Sequence, residues 1–186
     1  MADRPPRQRA DAAENRRLIL AAALEALGES SEVSLNSIAA RAGVANATLY
    51  RHFPTRESLV LEVYRYEVQQ LVAGADEFLD SLEPADALRA WVQRLAQYAM
   101  TKHGLAAALR TATGPGTALF AETYDQIVGA LGRLLDAAAR SGAIRSDLNP
   151  DTVILALAGL WEIDPNSDWT ATANELYELL LGGLLR

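Results

Sequence analysis

Residues 33–59 read VSLNSIAARAGVANATLYRHFPTRESL, and this stretch decides the fold because it resolves into two short helices joined by a glycine turn, with a third helix starting at its end. The Ser34 hydroxyl can cap the free amides of a helix that carries Leu35, Ile38 and Ala39 on one face. Ala42-Gly43-Val44 ends that helix: glycine takes the left-handed conformation at low cost, and Val44 plugs the gap between helices. A second helix is expected from about Ala45 to His52, with Leu49 and Phe53 turned inward and Asn46, Thr48, Tyr50, Arg51 and His52 left to point elsewhere. Pro54 disfavours helix at Phe53, and Thr55 is a good cap for the helix that follows. The layout is that of a helix-turn-helix.

The outward side chains suit DNA. Asparagine can read an adenine edge, threonine can touch a thymine methyl, and tyrosine, arginine and histidine can hydrogen-bond phosphate oxygens. The candidate DNA-contact set is therefore Ser34, Arg41, Asn46, Ala47, Thr48, Tyr50, Arg51, His52 and Arg56. For Arg41 a second role stays open, that of a solvated charge favouring the C-terminal helix dipole. A glycine turn between amphipathic helices is common in all-α proteins, so the T-L-Y-R-H-F segment, residues 48–53, carries most of the weight.

With these residues in view, the pattern A-x-x-A-G-V-x-x-x-T-L-Y-R-H-F-x-x-[KR]-x-x-L resembles the N-terminal domain of the TetR family of transcriptional regulators. The resemblance covers roughly residues 14 to 65, including an amphipathic first helix with Arg17, Leu18, Ile19, Ala22, Ala23 and Leu27. Two positions depart from the family pattern: Ala45 stands where members usually carry Ser or Thr, and Ala47 where they carry Gly. Ala45 removes the usual cap of the recognition helix, which leaves Asn46 either to replace the cap or to read a base. The resemblance implies a homodimer joined by a four-helix contact, a double-stranded DNA operator, and a small-molecule effector whose binding shifts the heads and releases DNA. Beyond Pro84 the match is looser and resembles actinobacterial members, and sixteen Arg against one Lys suits a GC-rich genome.

Composition bounds the rest. Half of the 186 residues are hydrophobic, enough for a sizeable core. No cysteine means no disulfide framework, thiolate nucleophile or Cys-ligated metal, and only His52 and His103 offer imidazoles, so neither a metal nor a cofactor is expected. No apolar run approaches the roughly 20 residues that span a bilayer, and the start, MADRPPRQRADAAENRR, lacks the hydrophobic segment of a signal peptide. No membrane contact and a cytoplasmic location are expected. The net charge of −7 is unevenly divided: residues 1–56 hold eight Arg against six acids, and the remainder nine bases against eighteen acids. A mildly basic head on an acidic body fits docking by one end. Arg4, Arg7, Arg9, Arg16 and Arg17 read as an irregular arm that either follows the DNA backbone or solubilises the chain.

The body reads as further helices. A long one runs from Thr55 to about Leu82; the next opens at Pro84, carries Trp91, Leu95 and Tyr98 on one side, and breaks at Gly104. A short segment from Leu105 to Ala112 leads to Gly114-Pro115-Gly116, the clearest breaker. Another helix spans about Thr117 to Ser141 with Phe120, Tyr124, Ile127, Leu131, Leu134 and Leu135 on one face. Asn149-Pro150 starts one from Asp151 to about Trp161 that is apolar almost all round, and Thr170 caps the last. The expected fold is all-α with about nine helices, residues 1–56 forming the DNA-binding domain and 57–186 the regulatory and dimerisation domain. The last two helices carry more apolar surface than one core can cover, and Ala156, Ala158 and Gly159 allow close helix approach, which points to a helix-mediated dimer.

Trp91, Tyr98, Met100, His103, Phe120, Tyr124 and Trp161 are candidates to line an effector pocket, since ligand sites are mostly apolar with few polar groups; the same stripe equally describes a core. The expected function is that of a DNA-binding transcriptional regulator, a homodimeric repressor released from a near-palindromic operator by a small molecule. The alternatives are a ligand-independent regulator or activator, and a helical-bundle enzyme or carrier. Against enzyme chemistry stand the lack of Glu-x-x-His and of cysteine, and a body with one histidine, His103.

Overall fold

The computed structural model describes residues 6–30, 33–113 and 118–184. Among these the secondary structure is entirely helical: α1 (Pro6–Glu29), α2 (Leu35–Arg41), α3 (Asn46–His52), α4 (Arg56–Ser81), α5 (Pro84–Thr113), α6 (Ala118–Arg140), α7 (Pro150–Ala156), a 3₁₀ segment (Leu157–Glu162) and α8 (Trp169–Leu184). None of the described helices is long and apolar enough to cross a membrane. The described residues form two compact units. One holds those up to Tyr66 together with 104–113, and the other holds Glu67–His103 together with 118–184.

In the first unit α1 buries Ile19, Ala22, Ala23 and Leu27, the face its spacing predicts, against α2 and α3. Its start differs from expectation. Helix begins at Pro6, so Arg16 and Arg17 are helical rather than part of an irregular arm; Arg4 and the side chains of Arg7 and Arg9 lie outside the described residues. Arg17 pairs with Glu14 one turn back at 2.7 Å, and Arg16 pairs with Glu62 of α4. The Arg16 guanidinium also lies over the Phe53 ring, 5.1 Å from its centroid, so it ties α1 to the end of α3 as well as to α4.

Gly104 does not break a helix. α5 runs through it to Thr113, because at this point the helix passes so close to α1 that a Cβ on Gly104 would stand 3.3 Å from the Gly28 Cα. Leu105, Ala108 and Leu109 beyond it are buried. The breaker at Gly114-Pro115-Gly116 lies outside the described residues, with α5 ending before it and α6 beginning after it.

In the second unit α6 buries Ile127, Ala130, Leu131, Leu134 and Leu135 along one face. Tyr124, expected on that face, is instead 44% exposed, and its hydroxyl bonds Asp151 at 3.2 Å. Gly142, at φ +79°, closes α6 with the Ala143 amide on the Ala138 carbonyl. The apolar run after Asn149 is not one helix: the Asn149 side chain caps α7 through the Thr152 amide at 3.2 Å, and the chain tightens to 3₁₀ from Leu157. The tightening brings Gly159 against α8, where a Cβ would meet the Leu176 side chain at 3.2 Å. Nor is the run buried all round, since Leu155 is 73% exposed. α8 starts one residue before Thr170, and its cap is Asp168, whose carboxylate accepts from the Ala171 amide at 3.2 Å.

Candidate nucleic-acid interface

The frame of the interface is fixed by backbone geometry. Ser34 caps α2, its Oγ accepting from the Ser37 amide at 3.1 Å. At the other end Gly43 adopts φ +68°, which lets its amide reach the Ala40 carbonyl at 3.2 Å and the Val44 amide reach the Ala39 carbonyl at 3.0 Å. The chain thereby reverses into α3 within three residues. α3 is held down by Leu49 (0% exposed) and Phe53 (1%), one turn apart on its inner side. Thr55 then caps α4 in a reciprocal pair: the Ser58 amide donates to Thr55 Oγ1 at 3.1 Å, and the Thr55 amide to Ser58 Oγ at 3.2 Å.

With those pegs inward, Asn46, Ala47, Tyr50 and Arg51 are exposed, and Thr48 and His52 are half-buried. The His52 ring packs near Phe53, 6.1 Å between centroids. Ala45 precedes α3 with the extended backbone of a cap residue, yet no side chain caps the helix. Asn46 therefore does not take over the cap, and its amide stands on the outer surface with Tyr50 one turn on.

The three remaining residues of the candidate set have structural work of their own. Ser34 is the cap of α2. Arg41 makes two parallel hydrogen bonds to Glu29, both 2.8 Å, and each lies on the surface, with the guanidinium holding the carboxyl below its usual range. Arg56 reaches back from α4 to the Val33 carbonyl at 3.5 Å, closing the base of the motif. Sequence reasoning missed the Arg16 clamp on Phe53 and Glu62, because nothing in the local spacing shows a partner 46 residues away.

The second candidate set is dispersed. Trp91 is fully buried, its indole N–H donating to the Leu71 carbonyl at 2.9 Å, which makes it a satisfied core residue. Tyr98 is buried and Met100 half-buried. His103 is exposed and donates Nε2–H to the Trp161 carbonyl at 2.7 Å. Trp161 is half-buried, and its own Nε1 is buried without a partner among the described residues. Tyr124 faces outward toward Asp151, and the Phe120 side chain lies outside the described residues. No group of three or more His, Cys, Asp or Glu among the described residues is arranged to hold a metal.

Residues 19–63 match the family model of the bacterial regulatory proteins of the tetR family, and residues 83–186 that of the C-terminal domain of SbtR-like transcriptional regulators. No curated protein matches the chain. Among solved structures, the TetR transcriptional regulator SCO0520 from Streptomyces coelicolor is 42% identical, over 91% of this chain and 98% of that one, with a TM-score of 0.84. A TetR transcription regulatory protein from Mycobacterium vanbaalenii is 28% identical over 96% and 99% of the two chains, with a TM-score of 0.79. The ketosteroid transcriptional regulator KstR2 of Mycobacterium tuberculosis shares the fold, at 20% identity over 92% and 95% and a TM-score of 0.56. With both family models matched in chain order around the glycine turn and its exposed helix, the chain belongs to the TetR family of DNA-binding transcriptional regulators.

Proposed function

We propose that this regulator is a cytoplasmic, non-enzymatic homodimeric repressor that leaves a near-palindromic operator when a small molecule binds. In this reading residues 1–56 dock on double-stranded DNA and residues 57–186 carry dimerisation and effector binding. The observation that carries it is the display of Asn46, Ala47, Tyr50 and Arg51 from a helix pinned by two fully buried side chains. Asn46 and Thr48 read base edges; Tyr50, Arg51 and His52 hold phosphates. Arg41 exchanges its solvent-exposed pairing with Glu29, which contributes little there, for a phosphate, one charge-assisted pairing for another. Ser34 and Arg56 act by positioning.

Support for the dimer comes from α7 and α8, where Leu155 (73% exposed) and Leu179 (78%) are uncovered in the single chain. Covering a leucine contributes about 1.5–3 kcal/mol. A two-fold pair presents two recognition helices, so half-sites lie about one helical turn apart or somewhat more. The effector reading rests on the family resemblance, with Tyr98, Met100, His103 and Trp161 as the remaining lining candidates once Trp91 is set in the core and Tyr124 on the surface; the acidic body favours a neutral or cationic molecule over a phosphorylated anion.

Sequencing genomic fragments retained by the purified protein tests the proposal. The expected product is a sequence with two inverted half-sites. Enrichment of an isolated half-site counts against the dimer, and no enrichment at physiological salt counts against the interface on α3.

A further inference from the structure

In the unit that holds the residues up to Tyr66, one side chain joins three helices. Arg16 of α1 lies over the Phe53 ring at the end of α3, its guanidinium carbon 5.1 Å from the ring centroid, and pairs with Glu62 of α4. Glu62 also accepts from Arg65 one turn on at 2.8 Å, so its carboxylate is held from two sides. Phe53 is 1% exposed, and the guanidinium forms part of that cover. A planar guanidinium can stack on a ring and pair with a carboxylate at the same time.

The recognition helix depends on such a hold. With seven residues α3 is too short to be stable by itself, and no side chain caps its start. Two inward side chains locate it, Leu49 near its middle and Phe53 at its end. Leu49 is fully buried, whereas Phe53 has left helical geometry, at φ −135° and ψ 89°, so what packs on its ring decides where the end of the helix lies. A helix pinned at one point pivots; pinned at two points about 6 Å apart along its axis, it does not. Reading a base edge requires placement within about 0.5 Å and 10–20°, while phosphate contacts carry no sequence information and survive in several poses.

We propose that Arg16 is a positioning residue for sequence recognition: by holding the Phe53 ring while anchored to Glu62, it sets the tilt of α3 and with it the discrimination between operator and other DNA, without touching DNA itself. The proposal rests on the reading of α3 as the helix that meets base edges. It assigns Arg16 to specificity, where its place on α1 and its charge would by themselves suggest a phosphate contact.

The probes are the duplex most enriched from genomic fragments and a shuffled duplex of the same length and composition, and the readout is fluorescence anisotropy on the full chain at a temperature where circular dichroism shows every variant folded. Arg16→Met keeps an unbranched chain over the ring and removes the charge; Glu62→Ala removes the anchor. Each is expected to lower the ratio of the two affinities about tenfold, through the enriched duplex, as loss of a well-formed base contact implies. The double variant should lose no more than either single one, because the two side chains act as a unit. The salt slope on the shuffled duplex should keep the parent's value. An unchanged ratio in Arg16→Met overturns the proposal and leaves the residue a structural tie. Equal loss on both duplexes, with a slope reduced by about one per bound chain, also overturns it and makes Arg16 a phosphate contact. So does a double variant whose loss is the product of the two single losses. Asn46→Ala is read separately: if it lowers the ratio while Arg16→Met does not, this proposal alone falls, and if neither does, base reading by α3 falls with it.

Discussion

Leu49 and Tyr50 are adjacent in the chain and opposite in fate, one fully buried and the other 44% exposed, and the interface depends on that contrast. Leu49→Ala leaves a cavity beneath α3 and should cost about 2–5 kcal/mol in denaturant unfolding. Tyr50→Ala should leave the unfolding midpoint within about 0.5 kcal/mol of the parent, yet weaken operator and non-operator DNA alike in fluorescence anisotropy, because phosphate contacts position without reading sequence. Substituting Asn46 or Thr48 should instead change base preference, by about 1–3 kcal/mol for each well-formed pairing with a base edge that is removed. An unchanged affinity for Tyr50→Ala at physiological salt would remove α3 from the DNA. The buried and exposed sides of α3 were legible in the sequence because Leu49 and Phe53 recur one turn apart. The roles of Arg41 and Arg56 were not, since Glu29 and the Val33 carbonyl become their neighbours only after the chain folds back. One residue in the body sets a pH dependence. Arg145, bonded to Asp147 at 2.6 and 2.5 Å, draws that carboxyl from 3.8 down to about 2. A depressed folded pKa contributes stability that is present above pH 3.8 and lost as pH falls toward about 2, so Asp147→Asn should flatten the acid limb of the stability curve in that window and nowhere else.

Helix boundaries show where local pattern suffices and where it fails. Gly43 and Gly142 were legible as helix ends, and both hold positive φ with the paired amide-to-carbonyl bonds of a left-handed cap. Gly104 carries the same residue type with a different cause: its small size serves a close crossing with α1 at Gly28, which a reading along one helix does not contain. The two glycines at that crossing therefore predict opposite outcomes. A Cβ on Gly28 meets nothing within 4 Å, so Gly28→Ala should stabilise α1 by up to about 1 kcal/mol through helix propensity. Gly104→Ala must push one backbone from another and should lose about 1–2 kcal/mol despite the same propensity gain. Thermal unfolding that ranks Gly104→Ala above the parent would restore the reading of Gly104 as a mere helix interruption. At α3 the uncapped start gives a third outcome. Ala45 already has the extended backbone of a cap residue, so Ala45→Ser should add about 1 kcal/mol by supplying the missing acceptor to an α3 amide.

The whole chain is acidic, yet its first 56 residues are net positive, so DNA contact is local and long-range repulsion by the body opposes it. Two heads held together double the phosphates neutralised, and operator affinity should fall steeply and log-linearly with salt, with a slope set by how many phosphates are neutralised. In the proposed dimer that proportionality makes pairing of two chains the step on which affinity rests. The all-helical class was legible from periodicity alone, but the apolar residues of the last two helices were not separable by sequence into core and interface. Leu157 faces inward at 2% exposure, whereas Leu155 and Leu179 face out. Leu155→Asp with Leu179→Asp should therefore leave the single chain folded, because neither side chain fills the core, while placing unpaired charges where the partner would bury them. Light scattering should report monomers with an unchanged helical circular dichroism spectrum, and the salt slope of DNA binding should drop by about half as one head replaces two. A double variant that remains dimeric with the parent's slope would move the interface away from α7 and α8.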